Sequence, residues 1–376
     1  MNRALRAGFA LLLCVPGFAS AQPSSNQAGA AAQSVTAPAP QQQGPVPAQG
    51  TAPAPVNVRE GRIKLDVLVT DKAGNPVEGL TQQDFTLLDN GQARPIAALH
   101  AFEGIVHPPD PPVQAIVLLD AVNMRYSTML QARVGIDRFL RANGGHLALP
   151  TVVFVFTEQG VEGTQQSTTD GNKLADSLKE INSHFRSSDV RPGGEGFGDA
   201  KRLALSVQAM MMIAQNEAKQ PGRKLLLWVS TGWPMETGIS KNSTDKLQRV
   251  TFNSIVALSN MLREARVTVY SATLGYSNYQ TALYQQFLKG VSSSRQTSVN
   301  NVNLKVLAIQ SGGRVLGPEN DPAPQLASFM QDGGAYYTLS FDPPQAKGPD
   351  EYHDLQVQVG KPGLKVRTTT GYYDEP

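Results

Sequence analysis

The sequence predicts an α/β fold: a doubly wound, mostly parallel sheet of Rossmann-like type, inserted into a small β-sandwich built by the N- and C-terminal segments together. Three observations predict it. Continuous apolar runs at 115–119, 152–156, 225–229 and 267–270 alternate with helix-length segments whose apolar residues recur three and four apart. Runs of that kind belong to strands buried on both faces, as in βαβ units. Before the first run and after the last, the chain turns to short alternating strands broken by turn residues, too few at either end to be stable alone.

The elements follow in chain order. Arg3 and Arg6 precede an apolar run at 7–15, and Ala19-Ser20-Ala21 supplies the small residues that a signal peptidase accepts. Residues 1–21 therefore read as a secretory signal peptide cleaved after Ala21, which predicts a secreted or periplasmic protein. Cys14 is the chain's one cysteine. It leaves with that peptide, so a disulfide or thiolate site is not expected. Residues 22–56 are rich in Ala, Pro and Gln without large apolar side chains, and read as a disordered linker.

The N-terminal β unit is expected over 57–107. Ile63, Leu65, Val67 and Val69 alternate with other residues, and Asp89-Asn90-Gly91 supplies a tight hairpin turn between 85–88 and a return strand at 95–102. The proline cluster at 108–112 marks a boundary. The α/β domain is expected over 113–332, with helices at 129–140, 174–185, 203–218 and 247–262. Met210, Met211 and Met212 read as core filler within the third of these. After Gly312-Gly313 the chain turns β-rich. A C-terminal β segment at 333–376, with strands at 336–341, 355–359 and 364–370, is expected to pack on the N-terminal unit.

Composition narrows the function. The 376 residues are 40% hydrophobic and 17% charged, as in a globular protein. Losing Arg3 and Arg6 from 33 basic residues balances them against the 31 acidic ones. Such a chain points to no nucleic-acid partner, and no run is long enough for a transmembrane segment.

Parallel sheets bind ligands at the carboxyl ends of their strands. The residues there are Asp120 to Met124, the segment beginning Ser230-Thr231-Gly232-Trp233, and the glycine-rich loop 193–198. An apolar strand ending in Asp, a glycine-rich loop opening a helix, and a further strand end in this order resemble von Willebrand factor type A domains. Residues 65–102, Trp228-Val229-Ser230-Thr231-Gly232, and Tyr336 to Ser340 through Tyr372-Tyr373 are similar to the VWFA-related family found chiefly in acidobacteria. The resemblance covers about residues 58–374 and implies architecture more than activity.

The parent family holds a divalent cation with an Asp-x-Ser-x-Ser loop, a threonine and a second Asp. Carried over by position, this chain offers Asp120, with Val122 and Met124 in place of the serines, Glu195 for the threonine and Thr231 for the Asp. Hydrocarbon cannot ligate a hard cation. Two readings stay open: a Mg²⁺ site of Asp120, Glu195 and Thr231, or a metal-free Asp120 that caps the adjacent turn and helix. No other cofactor is implied.

Other motifs argue against catalysis. Trp228 stands where a nucleophile elbow around Ser230 needs glycine. The five histidines show no metal-ligand spacing, and the loop around Glu195 has the wrong spacing for phosphate. In Tyr336-Tyr337 and Tyr372-Tyr373, strand alternation predicts one ring in the core and one at the rim. The expectation is a non-enzymatic binding or adhesion module with a degenerate metal site. Its contact loops would include Asn123, Tyr126, Phe197, Ser230 and Trp233, engaging a protein or other cell-envelope macromolecule. A metal-dependent adhesion module and a hydrolase are the alternatives.

Overall fold

The computed structural model describes residues 61–104, 107–164, 166–181, 197–235, 244–275 and 282–376. The expected signal peptide and linker lie outside these residues, as do Glu195 and the rest of 193–196. Of Phe197 only the backbone is described.

The chain begins with strands β1 (Ile63–Thr70), β2 (Phe85–Asp89), β3 (Gln92–Arg94) and β4 (Ala98–Glu103). Asn90 and Gly91, at φ 50° and 76°, make the tight turn from β2 to β3, where both residue types tolerate left-handed backbone. The return strand expected at 95–102 is divided. Pro95 has no N–H to give a ladder, so β3 ends before it and β4 crosses to a different sheet.

The central elements are β5 (Gln114–Asp120), α1 (Tyr126–Arg141), β6 (His146–Thr157), β7 (Gly160–Gly163), β8 (Thr168–Asp170), α2 (Gly171–Glu180), α3 (Phe197–Glu217), β9 (Lys224–Ser230), α4 (Asp245–Glu264), β10 (Val267–Leu274), α5 (Leu304–Gln310), β11 (Val315–Glu319) and α6 (Ala323–Gln331). Among the described residues they build one parallel-rich sheet in the order β11-β10-β9-β5-β6-β7, with β8 also on β6. Strands β5, β6, β9, β10 and β11 pair in parallel, and β7 and β8 run antiparallel to β6.

Alternate residues of β5 enter two cores. Ala115, Val117 and Leu119 join Ile136 and Leu140 of α1, Leu174 of α2 and Phe329 of α6. Ile116 and Leu118 join Met210 and Ile213 of α3, Leu258 of α4 and Leu304 of α5. Helices thus cover both faces, which is why these strands read as unbroken apolar runs. Of the three methionines, Met210 is buried while Met212 is exposed.

Strands β12 (Ala335–Phe341), β13 (Glu351–Val359), β14 (Lys365–Arg367) and β15 (Gly371–Asp374) complete two flanking antiparallel sheets, β14-β1-β12-β4 and β15-β13-β2-β3. N-terminal β1 pairs with C-terminal β12, Leu65 opposite Leu339. β2 pairs with β13, Leu87 opposite Val357. The two sheets share one core of Leu65, Val67, Leu87, Leu339, Val357 and Tyr372. The strand expected at 364–370 is shorter, and β15 beyond it belongs to the other sheet.

The stretch after Gly313 carries β11 and α6 before it turns β-rich. A Cβ at Gly313 would lie 1.8 Å from the Val269 carbonyl oxygen, so glycine there lets β11 approach β10. α6 has only nine residues, too few for its periodicity to stand out from the surrounding strands.

Both tyrosine pairs are fully buried, which corrects the expectation of a ring at the rim. Tyr337 and Tyr372 face the core between the antiparallel sheets, and Tyr336 and Tyr373 face the two cores of the parallel-rich sheet. Both sides of these strands are covered, so alternation exposes neither ring. At the same seam Arg266 donates two hydrogen bonds to Asp66, at 3.1 and 2.5 Å. Thr338 Oγ1 donates a third at 2.8 Å.

Candidate functional site

The sheet order reverses between β5 and β9. β5 continues through α1 to β6 on one side, while the later strands β9, β10 and β11 extend on the other. The carboxyl ends at such a reversal are where open α/β sheets form a crevice. Asp120 ends β5 and Ser230 ends β9, side by side at this point.

Asp120 is fully buried and its carboxylate is filled by donors. Oδ1 accepts the backbone N–H groups of Val122 at 3.0 Å and Asn123 at 2.9 Å. Oδ2 accepts Asn123 Nδ2 at 2.8 Å and the Trp228 indole N–H at 2.7 Å. Ser230 adds a further hydrogen bond. Burial pushes this carboxyl above the usual carboxylate range, and the bonds from Trp228, Asn123 and Ser230 pull it back.

The hydrogen bonds continue outward. Asn123 Nδ2 also donates to Ser206 of α3 at 2.8 Å, and Ser206 in turn donates to the Arg202 carbonyl. Thr231 donates to the Asn123 carbonyl at 2.6 Å, and Gly232 N–H donates to Ser230 Oγ at 3.0 Å. Asn303 Nδ2 reaches the Trp233 carbonyl at 3.3 Å. The result is a polar plug that ties β5, β9, α3 and the segment before α5 together, with Asn123 Oδ1 left buried and unpaired.

This donor set does not fit a divalent cation. A cation at Asp120 needs free carboxylate oxygens and further oxygen ligands, whereas both oxygens here face N–H groups. Val122 and Met124 are buried hydrocarbon, and the Thr231 hydroxyl is spent on a carbonyl. Among the described residues no group of three or more His, Cys, Asp or Glu could hold a metal ion. Of the expected metal set, Asp120 and Thr231 are thus occupied by N–H and carbonyl partners, while Glu195 lies outside the described residues. Asp120 closes the turn at 122–123 and leaves α1 uncapped, because the helix starts after Arg125 with no side-chain cap.

The expected contact residues need a similar correction. Asn123, Ser230 and Trp233 are buried, at 5%, 0% and 1% exposure. Trp233 packs edge-on against Trp228 with ring centroids 5.1 Å apart, so this aromatic serves the core rather than a partner. Tyr126, at 47% exposure, does face solvent. No histidine among the described residues is hydrogen-bonded to Ser230 or Asp120.

Sequence reasoning missed two groups. Trp228 looked like a barrier to an elbow and is in fact a carboxylate donor. Leu130 and Val134 follow Tyr126 along α1 at four-residue steps, exposed by 38% and 65%. A signal for them existed: α1 carries this second apolar row besides its buried row of Met129, Ala132, Ile136 and Leu140.

No helix among the described residues is long and apolar enough to cross a membrane. No family model matches the chain, and no curated protein matches it. Among solved structures, it is similar to the TFIIH p34 N-terminal domain at 12% identity and a TM-score of 0.29, over 58% of this chain and 96% of that one. It is similar to the pilus adhesin SpaC from Lactobacillus rhamnosus GG at 9% identity and a TM-score of 0.32, over 77% of this chain and 47% of that one. Likenesses this slight assign neither fold nor function, and what the chain can be said to be is a mixed α/β protein with a parallel-rich sheet flanked by two antiparallel ones.

Proposed function

We propose that this chain is an exported, non-enzymatic binding module, a von Willebrand factor type A-like α/β unit inserted in a β-sandwich. It engages a protein of the cell envelope from the α1 side of the sheet's carboxyl end. The strand order, with antiparallel β7 and β8 on the outer side of β6 and a reversal beside Asp120, supports the architecture. The observation that carries the metal-free reading is the Asp120 carboxylate with N–H donors on both oxygens. Tyr126, at the head of α1 and close to that plug in sequence, is the exposed aromatic from which a contact would start.

Two measurements test this. Thermal unfolding of the mature chain in EDTA and in millimolar Mg²⁺, Ca²⁺ or Mn²⁺ is expected to give one midpoint. Saturation a hundredfold above a dissociation constant would add about 2.7 kcal/mol. A rise abolished by Asp120→Ala would replace this reading with a metal-dependent adhesion module. A photo-cross-linking residue at position 126, in the producing cells, is expected to give a discrete adduct.

A further inference from the structure

Four dipeptides in the chain place an Asn or Asp before glycine: Asn90-Gly91, Asn143-Gly144, Asp170-Gly171 and Asp332-Gly333. Such pairs share one chemistry. Glycine has no Cβ to keep its backbone nitrogen away from the preceding side chain, so that nitrogen can close on the side-chain carbonyl carbon. The fold decides whether the side chain is free to meet it.

Three of the four are held. Asp332 is buried, and its Oδ2 takes Arg367 Nη2 at 2.8 Å. Asp170 Oδ1 accepts the Lys173 N–H at 3.0 Å as the cap of α2. Asn90 Oδ1 accepts the Asp354 N–H at 2.9 Å, and the Asn90 N–H donates to the Asp354 carbonyl at 2.8 Å. Asn90 Nδ2 also lies 3.5 Å from His353 Nδ1. Ring closure at Asn90 must first break the bonds that tie this turn to β13.

Asn143 differs. It lies in the turn between α1 and β6, is exposed, and its amide has no hydrogen-bond partner among the described residues. Its backbone is left-handed at φ 53°, as that of Asn90 is at 50°, so the two asparagines differ mainly in their tethers. Gly144 is exposed too, with nothing within 4 Å of where its Cβ would lie.

We propose that Asn143 is a self-modifying site, whose side-chain amide converts to an aspartyl or isoaspartyl carboxylate in the folded protein. The Gly144 backbone nitrogen attacks Asn143 Cγ. A bond forms between them, the Cγ–Nδ2 bond breaks, and ammonia leaves with the proton of the Gly144 N–H. Water then opens the cyclic imide. Attack at Cγ gives aspartate, and attack at the main-chain carbonyl carbon gives isoaspartate, with the chain running through the former side chain. Water is the only co-reactant.

The product changes a defined surface. Asn143 lines a groove of about 590 Å³ whose other walls include Phe139, Leu147, Leu149 and Met330. The new carboxylate stands beside these apolar walls and just past the C-terminus of α1, where the helix dipole disfavours negative charge. The isoaspartyl form also lengthens the main chain next to Gly144, whose carbonyl is held by Asn172 Nδ2 at 3.0 Å.

The test ages the full mature chain at mildly alkaline pH, folded and in urea, and maps deamidated peptides by mass spectrometry. Isoaspartate is counted by enzymatic methyl transfer. In urea, Asn90 and Asn143 are expected to react at similar rates. In the folded chain Asn143 should react at least about tenfold faster than Asn90, whose hydrogen bonds must open first. Asn143→Gly, which keeps a left-handed backbone without strain, should abolish the main acidic isoform on isoelectric focusing. Equal rates at the two asparagines in the folded chain, or an Asn143 that stays intact there whether or not it reacts in urea, would overturn the proposal. So would an acidic isoform that persists undiminished in Asn143→Gly.

Discussion

The indole N–H of Trp228 lies 2.7 Å from Oδ2 of Asp120, the same oxygen that accepts the Asn123 side-chain amide. β9 places Trp228 on the face shared with Val122 and Phe156, and the ring is fully buried. An indole can only donate, so its presence fixes Asp120 as an acceptor.

Asp120→Asn should therefore be destabilising despite its near-identical shape. An amide would turn two donors toward the N–H groups of Trp228 or Asn123, leaving buried groups unpaired at about 1–3 kcal/mol. Urea unfolding at neutral pH reads this. A variant as stable as the parent would show that the plug tolerates an amide.

Asp66→Ala should weaken the seam between the flanking sheets and the parallel-rich sheet. It strands the Arg266 guanidinium, which is held by two hydrogen bonds to Asp66. Hydrogen bonds to charged groups contribute about 1.5–3 kcal/mol each way, and a loss of about 3 kcal/mol is expected. The apolar pair Asp66→Val, Arg266→Met should recover part of it in a double-mutant cycle. Purely additive losses would remove the pairing from the account.

Alkali should unfold the protein through its tyrosines. Burial pushes Tyr336 and Tyr352 to about 12, from an ordinary value of 10.0. Tyr270, Tyr372 and Tyr373 are also pushed upward by burial. Raised acids hold protons that the unfolded chain releases, so their contribution is complete below pH 10 and is lost as pH rises toward 12. The urea midpoint should fall across that window, and tyrosinate absorbance of these rings should appear together with unfolding. A smooth tyrosinate titration of the folded protein would contradict this.

Gly313→Ala should fail structurally rather than functionally. The new Cβ would lie 1.8 Å from the Val269 carbonyl oxygen, a backbone atom that cannot step aside without parting β10 from β11. A loss of about 3 kcal/mol or more is expected, visible as a lowered thermal midpoint. An unchanged midpoint would mean that β11 has room to shift.

The sequence by itself determined the strands and helices whose residues answer to local rules. The runs at 115–119 and 225–229 are buried on both faces and so had to be continuous, and Asn90-Gly91 had to turn. It also determined the loss of hydroxyls at Val122 and Met124, which is a matter of residue type. Tertiary structure decided the rest. Whether Trp233 or Tyr373 meets solvent depends on what packs over the strand or loop, and that neighbour lies far away in the chain. Asp120 takes its donor from Trp228, 108 residues on, and Asp66 takes its cation from Arg266, 200 residues on. A carboxylate carries no mark of which partner will fill it; only the folded chain brings the two together.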